Sequence, residues 1–194
     1  MKNNIVLLIG GSSGTGKSYL ARQLSEYYKI PLTEVDDIRI SLQQVVNKID
    51  YPELFTFIDN PNFYFEYQEH EFCQKLLEIS KIVWKSLDVL ISKHIACNEP
   101  IIFEGDSITP ELLASRNTDN IKSIFIYDSL ENIKERQIKR GRDNKGTEKI
   151  DKNALFSYTY SEVLKHQAEN HGFIAIPASP IETLFERTLQ ILEN

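Results

Sequence analysis

Cysteine and long apolar runs are both scarce in this chain. Its 194 residues include two cysteines, Cys73 and Cys97, which lie too far apart to form a C-x-x-C pair. A disulfide framework or a thiolate metal site is therefore not expected, and each thiol is interpreted as buried or idle. No stretch approaches the length that crosses a bilayer, and the segment before the first glycine is too short for a signal peptide. We expect a cytoplasmic protein with no membrane partner.

An excess of basic residues is also missing. The chain has 22 Lys and Arg against 28 Asp and Glu, a formal net charge of −6. Proteins dedicated to nucleic-acid backbones usually carry a basic stripe, so this balance argues against nucleic acid as a partner, although a local basic patch stays compatible with it. The 41% hydrophobic content is enough for one sizeable core. Without repeats or a Pro/Gly linker, residues 1–194 are predicted to form a single domain, as a monomer or a homodimer.

Glycine is infrequent too, yet four of the eight glycines lie within residues 10–16. Residues 10–18 read Gly-Gly-Ser-Ser-Gly-Thr-Gly-Lys-Ser and fill the pattern G-x-x-x-x-G-K-[ST] without a mismatch. Glycines let backbone N–H groups close around phosphate oxygens, Lys17 reaches the β- and γ-phosphates, and the Ser18 hydroxyl ligates Mg²⁺. An apolar run leads in and helical spacing leads out, which argues against a coincidental Gly/Ser turn. The predicted nucleoside triphosphate site comprises Gly11, Ser12, Ser13, Gly14, Thr15, Gly16, Lys17 and Ser18, with Lys17 expected on a solvent-facing loop.

Apolar runs that alternate with helical patterns predict the fold class. Strands are predicted at 5–9, 32–35, 101–103, 124–127 and 173–176. Helices are predicted at 17–29, 37–47, 66–96, shortly after Pro110, and at 130–139, 152–170 and 181–192. This alternation favours a parallel sheet covered by helices on both faces, which is a three-layer α/β sandwich.

Two carboxylates and an arginine follow the second predicted strand, in Asp36-Asp37-Ile38-Arg39. In an open parallel sheet ligands bind outside the carboxyl ends of the strands, so these side chains should face the phosphate loop. One aspartate is expected to cap the helix that starts near Asp37, and the other to accept the proton of an attacking hydroxyl. We assign the base to Asp36, with Asp37 as the alternative. Arg39, one helical turn beyond, could hold an anionic group of the acceptor bidentately.

The third predicted strand also ends in acidic residues, in Ile101-Ile102-Phe103-Glu104-Gly105-Asp106. An acid after an apolar strand suits a Walker-B-type carboxylate that orients Mg²⁺ directly or through water. Glu104 is the candidate for this metal role, together with Ser18, and Asp106 is the reserve. The alternative is an ordinary glycine-containing turn.

A cationic segment follows the fourth predicted strand. Arg136 lies on a predicted helix, and Lys139, Arg140 and Arg142 lie at its end. Arginines that close over a transferred phosphoryl group stabilise its charge while a lid excludes water, so residues 139–152 are predicted as a lid. Arg136 and Arg140 are the preferred catalytic and nucleotide-binding residues. Basic residues near a helix C-terminus also favour the helix dipole, which is the structural alternative.

Residues 48–70 interrupt the alternation of strands and helices. The segment carries two prolines and a cluster of aromatic residues, and it is long for a connection in a compact domain. It is predicted as an insertion that binds the acceptor. The alternative is that its aromatic side chains pack the long helix onto the sheet. His70 is interpreted as a helix-surface residue.

Together these motifs resemble the small P-loop kinases of the nucleotide and shikimate kinase type. Asp36 to Arg39 is similar to the D-x-x-R motif of polynucleotide 5′-hydroxyl kinases, zeta-toxin kinases and 2-phosphoglycerate kinases, whose base and acceptor-binding arginine fall on Asp36 and Arg39. Residues 104–110 resemble the E-G-x-x-x-x-P stretch of 2-phosphoglycerate kinase. The resemblance implies a P-loop NTPase sandwich with strand order 2-3-1-4-5, a helical lid, and ATP rather than another nucleotide.

The favoured function is therefore an ATP-dependent kinase that uses Mg²⁺ and phosphorylates a hydroxyl of a small, anionic metabolite. One alternative is a kinase of a polynucleotide 5′ end or a sugar nucleotide. Another is a nucleotide-binding switch or slow ATPase, which would leave Asp36 and Arg39 without an acceptor to serve. No N-K-x-D guanine-reading motif is present.

Overall fold

The computed structural model describes residues 6–116, 119–141 and 147–193, apart from the side chain of Thr147. These residues form a five-stranded sheet whose strands are paired in parallel in the order β2-β3-β1-β4-β5. The predicted strand order is confirmed. The strands are β1 (Val6–Gly11), β2 (Leu32–Glu34), β3 (Ile101–Gly105), β4 (Ile121–Tyr127) and β5 (Ile174–Pro177).

Helices cover both faces of this sheet. They are α1 (Lys17–Tyr28), α2 (Val35–Val45), α3 (Thr56–Asp59), α4 (Phe63–Glu66), α5 (Glu69–Cys97), α6 (Pro110–Ala114), α7 (Leu130–Lys139), α8 (Thr147–Asn170) and α9 (Leu184–Glu193). Short 3₁₀ turns lie at Pro52–Phe55 and Ile181–Thr183. None of the described helices is long and apolar enough to cross a membrane.

The central strands are apolar because both of their faces are buried. Alternate residues of β1 belong to two cores: Leu7 and Ile9 pack with α1 and α9, whereas Val6 and Leu8 pack with α5. All six residues of β1 and all five of β3 are buried. Burial on both faces explains why these strands read as continuous hydrophobic runs in the sequence rather than as an alternation.

The register of the strands brings their carboxyl ends to one edge of the sheet. Ile9 pairs with Glu104 in β3, and Glu34 in β2 also pairs with Glu104. The loop after β1, the end of β3 and the start of α2 therefore lie side by side. This is the edge at which ligands of open α/β sheets bind.

Two local expectations were wrong. Helix α2 begins at Val35, directly after β2, and its N-cap residue Glu34 makes no side-chain capping hydrogen bond. Neither aspartate is the predicted cap, because both already lie in the first helical turn, where their charge favours the helix dipole. Strand β3 extends to Gly105, so Glu104 is part of the strand and not of a turn after it.

Candidate functional site

The loop between β1 and α1 has a tightly packed glycine backbone. Gly14 and Gly16 have φ angles of 82° and 95°, in the left-handed region that side-chain-bearing residues rarely adopt. A Cβ atom on Gly16 would approach the Ile181 side chain to 2.9 Å. Within the loop, the Thr15 hydroxyl donates to the Ser12 carbonyl at 2.8 Å. The loop is thereby held in one shape before any ligand arrives.

A hydrogen-bonded ion pair supports this loop from the end of β4. Arg136 on α7 donates through Nε to the Gly14 carbonyl at 2.7 Å, and its guanidinium pairs with Asp128. Asp128 also accepts from the Asn132 amide at 2.9 Å and from the Ser179 hydroxyl at 2.7 Å. Burial favours a raised pKa for Asp128, but these hydrogen bonds outweigh it and hold the pKa below its usual value.

Lys17 is buried, which corrects the expectation of a solvent-facing position. Its side chain is 11% exposed, and its Nζ lies 3.6 Å from Oε2 of Glu104, which is itself 3% exposed. The same oxygen accepts no hydrogen bond from any described residue. The reason is the strand register, which sets Glu104 beside the loop so that the lysine is drawn inward to the carboxylate.

One cavity of about 560 Å³ joins the phosphate loop to the residues after β2 and β3. Ser12, Ser13, Lys17 and Ser18 lie in its wall, and so do Glu34, Asp36, Arg39, Glu104 and Asp106. Arg39 and Asp36 form an ion pair at 3.4 Å. The Arg39 Nε atom is buried and donates to no acceptor among the residues described. The cavity therefore places a guanidinium with unused donor capacity next to the phosphate loop.

Asp106, the reserve carboxylate, is in this cavity as well. Burial raises the pKa of Asp106, and the negative charge of Asp36 raises it further, while Arg39 and Lys17 oppose the shift. The backbone carbonyl of Asp106 accepts a hydrogen bond from the buried Tyr160 hydroxyl at 3.0 Å. Asp106 thus shares the cavity with Asp36, Arg39 and Lys17, and their charges act on its ionisation.

Helix α8 contributes residues that the sequence interpretation missed. Lys149, Asn153, Ser157 and Tyr160 line the cavity. Their spacing of three and four residues places them on one helical face. Polar residues recurring at this spacing among apolar neighbours were the available signal, but which ligand site they face depends on packing that is distant in sequence.

The remaining predicted residues fall into three groups. Arg140 lines the cavity, whereas Arg136 is engaged by Asp128 and Gly14 and is absent from the cavity wall. Asp37 and His70 are exposed and lie outside the wall. Arg142, with residues 143–146 of the predicted lid, lies outside the described residues. The catalytic roles of Arg136 and Arg140 stay predictions.

No protein-family model matches the sequence. The chain is 24% identical over 203 residues to the 2-phosphoglycerate kinase of Methanocaldococcus jannaschii, in an alignment that covers 97% of this chain. It spans 63% of the length of that curated relative.

Solved structures provide the comparison for the fold. The protein TT1252 of Thermus thermophilus has a TM-score of 0.56 at 15% identity, with 98% of this chain and 96% of that one covered. A shikimate kinase of Acinetobacter baumannii, in complex with shikimate, has a TM-score of 0.53 at 14% identity, covering 97% and 93%. A gluconokinase of Sinorhizobium meliloti has 0.50 at 13% identity, covering 95% and 89%. The fold is that of the small P-loop kinases.

The P-loop kinase fold also allows a test of whether this chain's residues suit a magnesium-bound nucleotide. A buried carboxylate oxygen without a donor, as at Glu104, is costly unless a cation or water completes it. The Ser18 hydroxyl lines the same cavity. Mg²⁺ usually takes one or two protein ligands beside phosphates and waters, so this sparse oxygen set fits it. No larger group of His, Cys, Asp or Glu able to hold a metal lies within the described parts of the chain.

Proposed function

We propose that the protein is an ATP-dependent kinase that transfers the γ-phosphate of ATP·Mg²⁺ to a hydroxyl group of a small, anionic metabolite. The observation that carries the proposal is the single cavity in which the phosphate loop adjoins Asp36 and Arg39. In a nucleotide switch or slow ATPase, Asp36 and Arg39 would have no acceptor to serve.

The nucleotide side of the mechanism uses the loop and its neighbours. Backbone N–H groups of residues 11–16 would surround the phosphates, and Lys17 would neutralise charge on the β- and γ-phosphates. Ser18 and Glu104 would hold Mg²⁺, which supplies charge neutralisation on the phosphate oxygens when bound. Arg140, at the cavity wall, is proposed to contact the transferred group, and Arg136 to contribute by holding the phosphate loop at Gly14.

The acceptor side uses Asp36 and Arg39. Asp36 would accept the hydroxyl proton as the acceptor oxygen bonds to the γ-phosphorus and the bond to the β-phosphate oxygen breaks, releasing ADP. Arg39 would pair with an anionic group of the acceptor through the donors that its ion pair with Asp36 leaves unused. Burial, and after it the negative charge of Asp36, raises the pKa of Asp106 above its usual value.

The curated relative supports this choice of acceptor class. Its name describes a kinase of 2-phosphoglycerate, which is a small anion with a free hydroxyl group. The net charge of −6 counts against a polynucleotide acceptor, because a polyanion would approach a like-charged surface. A small anion needs only the local cations of the cavity.

The experiment is a comparison of wild type, Arg39→Lys and the control Arg22→Lys. Arg22 is an exposed arginine whose ion pair with Glu34 lies at the surface. ATP turnover is measured with a panel of phosphorylated and carboxylated metabolites, after a thermal-shift screen with ATP·Mg²⁺. Arg39→Lys keeps the charge but loses the planar fork, so the KM for the anionic acceptor should rise while the KM for ATP does not.

Two outcomes would contradict the proposal. If ATP·Mg²⁺ raises no melting midpoint, the nucleotide site is absent. If a neutral acceptor is turned over equally well by wild type and Arg39→Lys, the arginine serves the nucleotide or the fold and the acceptor is not an anion.

A further inference from the structure

One wall of the cavity is aromatic. Phe57, Phe63, Tyr64 and Phe72 line it, and we call these four residues the aromatic wall. Three of them come from the 48–70 segment, and Phe72 comes from the first turns of α5. The same cavity is lined by Asp36, Arg39 and Asp106. Apolar rings and the charged acceptor residues therefore face one ligand space.

The rings of the aromatic wall pack against one another. Phe63 and Phe72 are nearly parallel, with centroids 5.8 Å apart and planes inclined by 14°. Phe57 is tilted by 55° to Phe63 and by 42° to Phe72, and Tyr64 by 33° to Phe63. Phe156 of α8, which is fully buried, lies beneath them, 4.6 Å from Phe72 at 19° and 6.2 Å from Tyr64 at 13°. The ammonium group of Lys149 lies 4.5 Å from the Tyr64 ring centroid. The wall therefore offers the cavity aromatic surface with a cation beside it.

Packing accounts for only part of this arrangement. Phe57 contacts two buried clusters, so the segment does anchor itself to α5 and α8. All four wall residues nevertheless keep part of their surface open, whereas the core side chains Leu54 and Phe156 beside them are at most 2% exposed. A phosphate or carboxylate placed against this aromatic surface would lose its hydration without gaining donors from the rings.

We propose that the acceptor carries a flat aromatic or heteroaromatic ring in addition to its hydroxyl and its anionic group. The ring lies on the aromatic wall, the anionic group pairs with Arg39, and the hydroxyl faces Asp36. This inference rests on the proposed kinase function and narrows its acceptor class. A cavity of about 560 Å³ is within the range that holds drug-sized ligands, so a ring-bearing acceptor has room beside the phosphates.

The inference separates this chain from its curated relative in substrate. A phosphoglycerate has three carbons and no ring, and its surface is polar on every side. Such a molecule would satisfy Arg39 but leave the aromatic wall in contact with water. The 48–70 segment is thus assigned a recognition role that the phosphate loop and the strand ends do not supply.

The test uses two matched pairs of acceptors with wild-type protein. In the first pair, 3-phenyllactate is compared with lactate, which lacks only the phenyl ring. In the second, uridine 3′-monophosphate is compared with ribose 3-phosphate, which has a hydroxyl group in place of the base. We expect the ring-bearing member of at least one pair to have a kcat/KM about 10-fold higher or more, since stacking is worth this much per ring. The pair that responds identifies the ring as a phenyl group or a nucleobase.

A variant pair then locates the effect. Phe63→Leu keeps an apolar side chain but removes the ring, and Phe65→Leu is its control on the same short helix, because Phe65 is 56% exposed and outside the cavity wall. Phe63→Leu should raise the KM for the ring-bearing acceptor about 10-fold, with the KM for ATP unchanged, and Phe65→Leu should change neither.

The outcomes distinguish the inference from the function on which it rests. A wild-type protein that binds ATP·Mg²⁺ but does not prefer the ring-bearing member of either pair overturns the inference and leaves the kinase proposal standing. Equal effects of Phe63→Leu and Phe65→Leu also overturn it. Failure of ATP·Mg²⁺ to raise the melting midpoint overturns the proposed function itself.

Discussion

Two buried carboxylates, at the ends of the strands on either side of β1, have opposite surroundings. Asp128, after β4, pairs with Arg136 and accepts hydrogen bonds from Asn132, Ser129 and Ser179. Glu104, at the end of β3, has Lys17 at 3.6 Å, and its Oε2 accepts no hydrogen bond from the residues that the structure describes. Both side chains are almost completely buried, at 4% and 3% exposure.

The difference separates a carboxylate that supports the phosphate loop from one that faces the cavity. Around Asp128 the chain supplies its own partners, so nothing further is needed and the loop held by Arg136 is rigid. Around Glu104 and Arg39 polar atoms are left without a hydrogen-bond partner, at a cost in stability that a ligand can relieve. At these strand ends, the group with its partners supplied by the chain supports the loop, whereas the groups with a partner missing within the described part of the chain line the cavity.

The largest expected effect is at Lys17, beside Glu104, where a hydrogen-bond partner is missing among the described residues. Lys17→Ala removes the positive charge that would neutralise the β- and γ-phosphates. Phosphoryl transfer should therefore fall by roughly 10³- to 10⁵-fold, the range seen when a transition-state cation is lost. Initial rates of ADP release measure it, with Lys29→Ala, an exposed lysine at the end of α1, as control. Equal turnover by wild type and Lys17→Ala would show that the loop does not serve catalysis.

The next largest effect is expected at Asp36, which lines the same cavity as Glu104. Asp36→Asn keeps the shape but cannot accept a proton, so turnover of the acceptor should fall by roughly 10²- to 10⁴-fold with nucleotide affinity little changed. The neighbouring Asp37→Asn is the matched control, because Asp37 is exposed and outside the cavity wall. If Asp37→Asn abolished turnover while Asp36→Asn lowered it only slightly, the base would be Asp37 and not Asp36.

At Asp128, whose hydrogen-bond partners are supplied by the chain, the expected effect is on stability. Asp128→Asn leaves Arg136 without its buried partner and should lower the free energy of unfolding by about 3 kcal/mol at pH 7. The folded-state pKa of Asp128 lies below its ordinary value of 3.8, so its contribution is present above that pH and is lost as pH falls through the folded value.

Urea titrations at several pH values measure this effect. The difference in the free energy of unfolding between wild type and Asp128→Asn should become smaller below pH 3.8. A deficit that stays constant into that acidic range would mean that the ionised carboxylate is not what stabilises this network.

The smallest effect is expected at Asp106, where a substitution should raise the free energy of unfolding rather than lower it. Because the pKa of Asp106 is raised in the folded state, its ionisation opposes folding as pH rises above the ordinary value of 3.8. Asp106→Asn should therefore increase the free energy of unfolding by about 1 kcal/mol at neutral pH. Thermal unfolding measures it, and the gain should vanish below pH 3.8. A loss of stability at neutral pH would place Asp106 with the supporting carboxylates instead.

The sequence was sufficient for the parts of the site that are local in the chain. The phosphate loop lies between a strand and a helix that the pattern predicts, and Asp36 and Arg39 lie one helical turn apart whatever the rest of the fold does. The strand order came from the resemblance and not from periodicity. The burial of Lys17 was missed because it depends on pairing between β1 and β3, about 90 residues apart in the chain.

Contacts between distant segments explain the other gaps. Asp128 carries no motif, and its role depends on partners from α7 and from the loop after β5. The α8 residues looked like one face of an ordinary amphipathic helix. The aromatic residues of 48–70 were noticed, but only the cavity shows which of them face a ligand space.

Helix α8 sets the spacing of the whole site. Within two turns its backbone carbonyl at Ser157 accepts from the Ser12 hydroxyl of the phosphate loop, Phe156 stacks beneath the aromatic wall, and Tyr160 donates to the strand end at Asp106. The separation of these three anchor points is fixed by the helical rise of about 1.5 Å per residue. A one-residue insertion near Ala154 would rotate the following turns by roughly 100° and displace all three anchors together. The phosphate loop, the aromatic wall and the end of β3 are thus held at fixed separations by one helix.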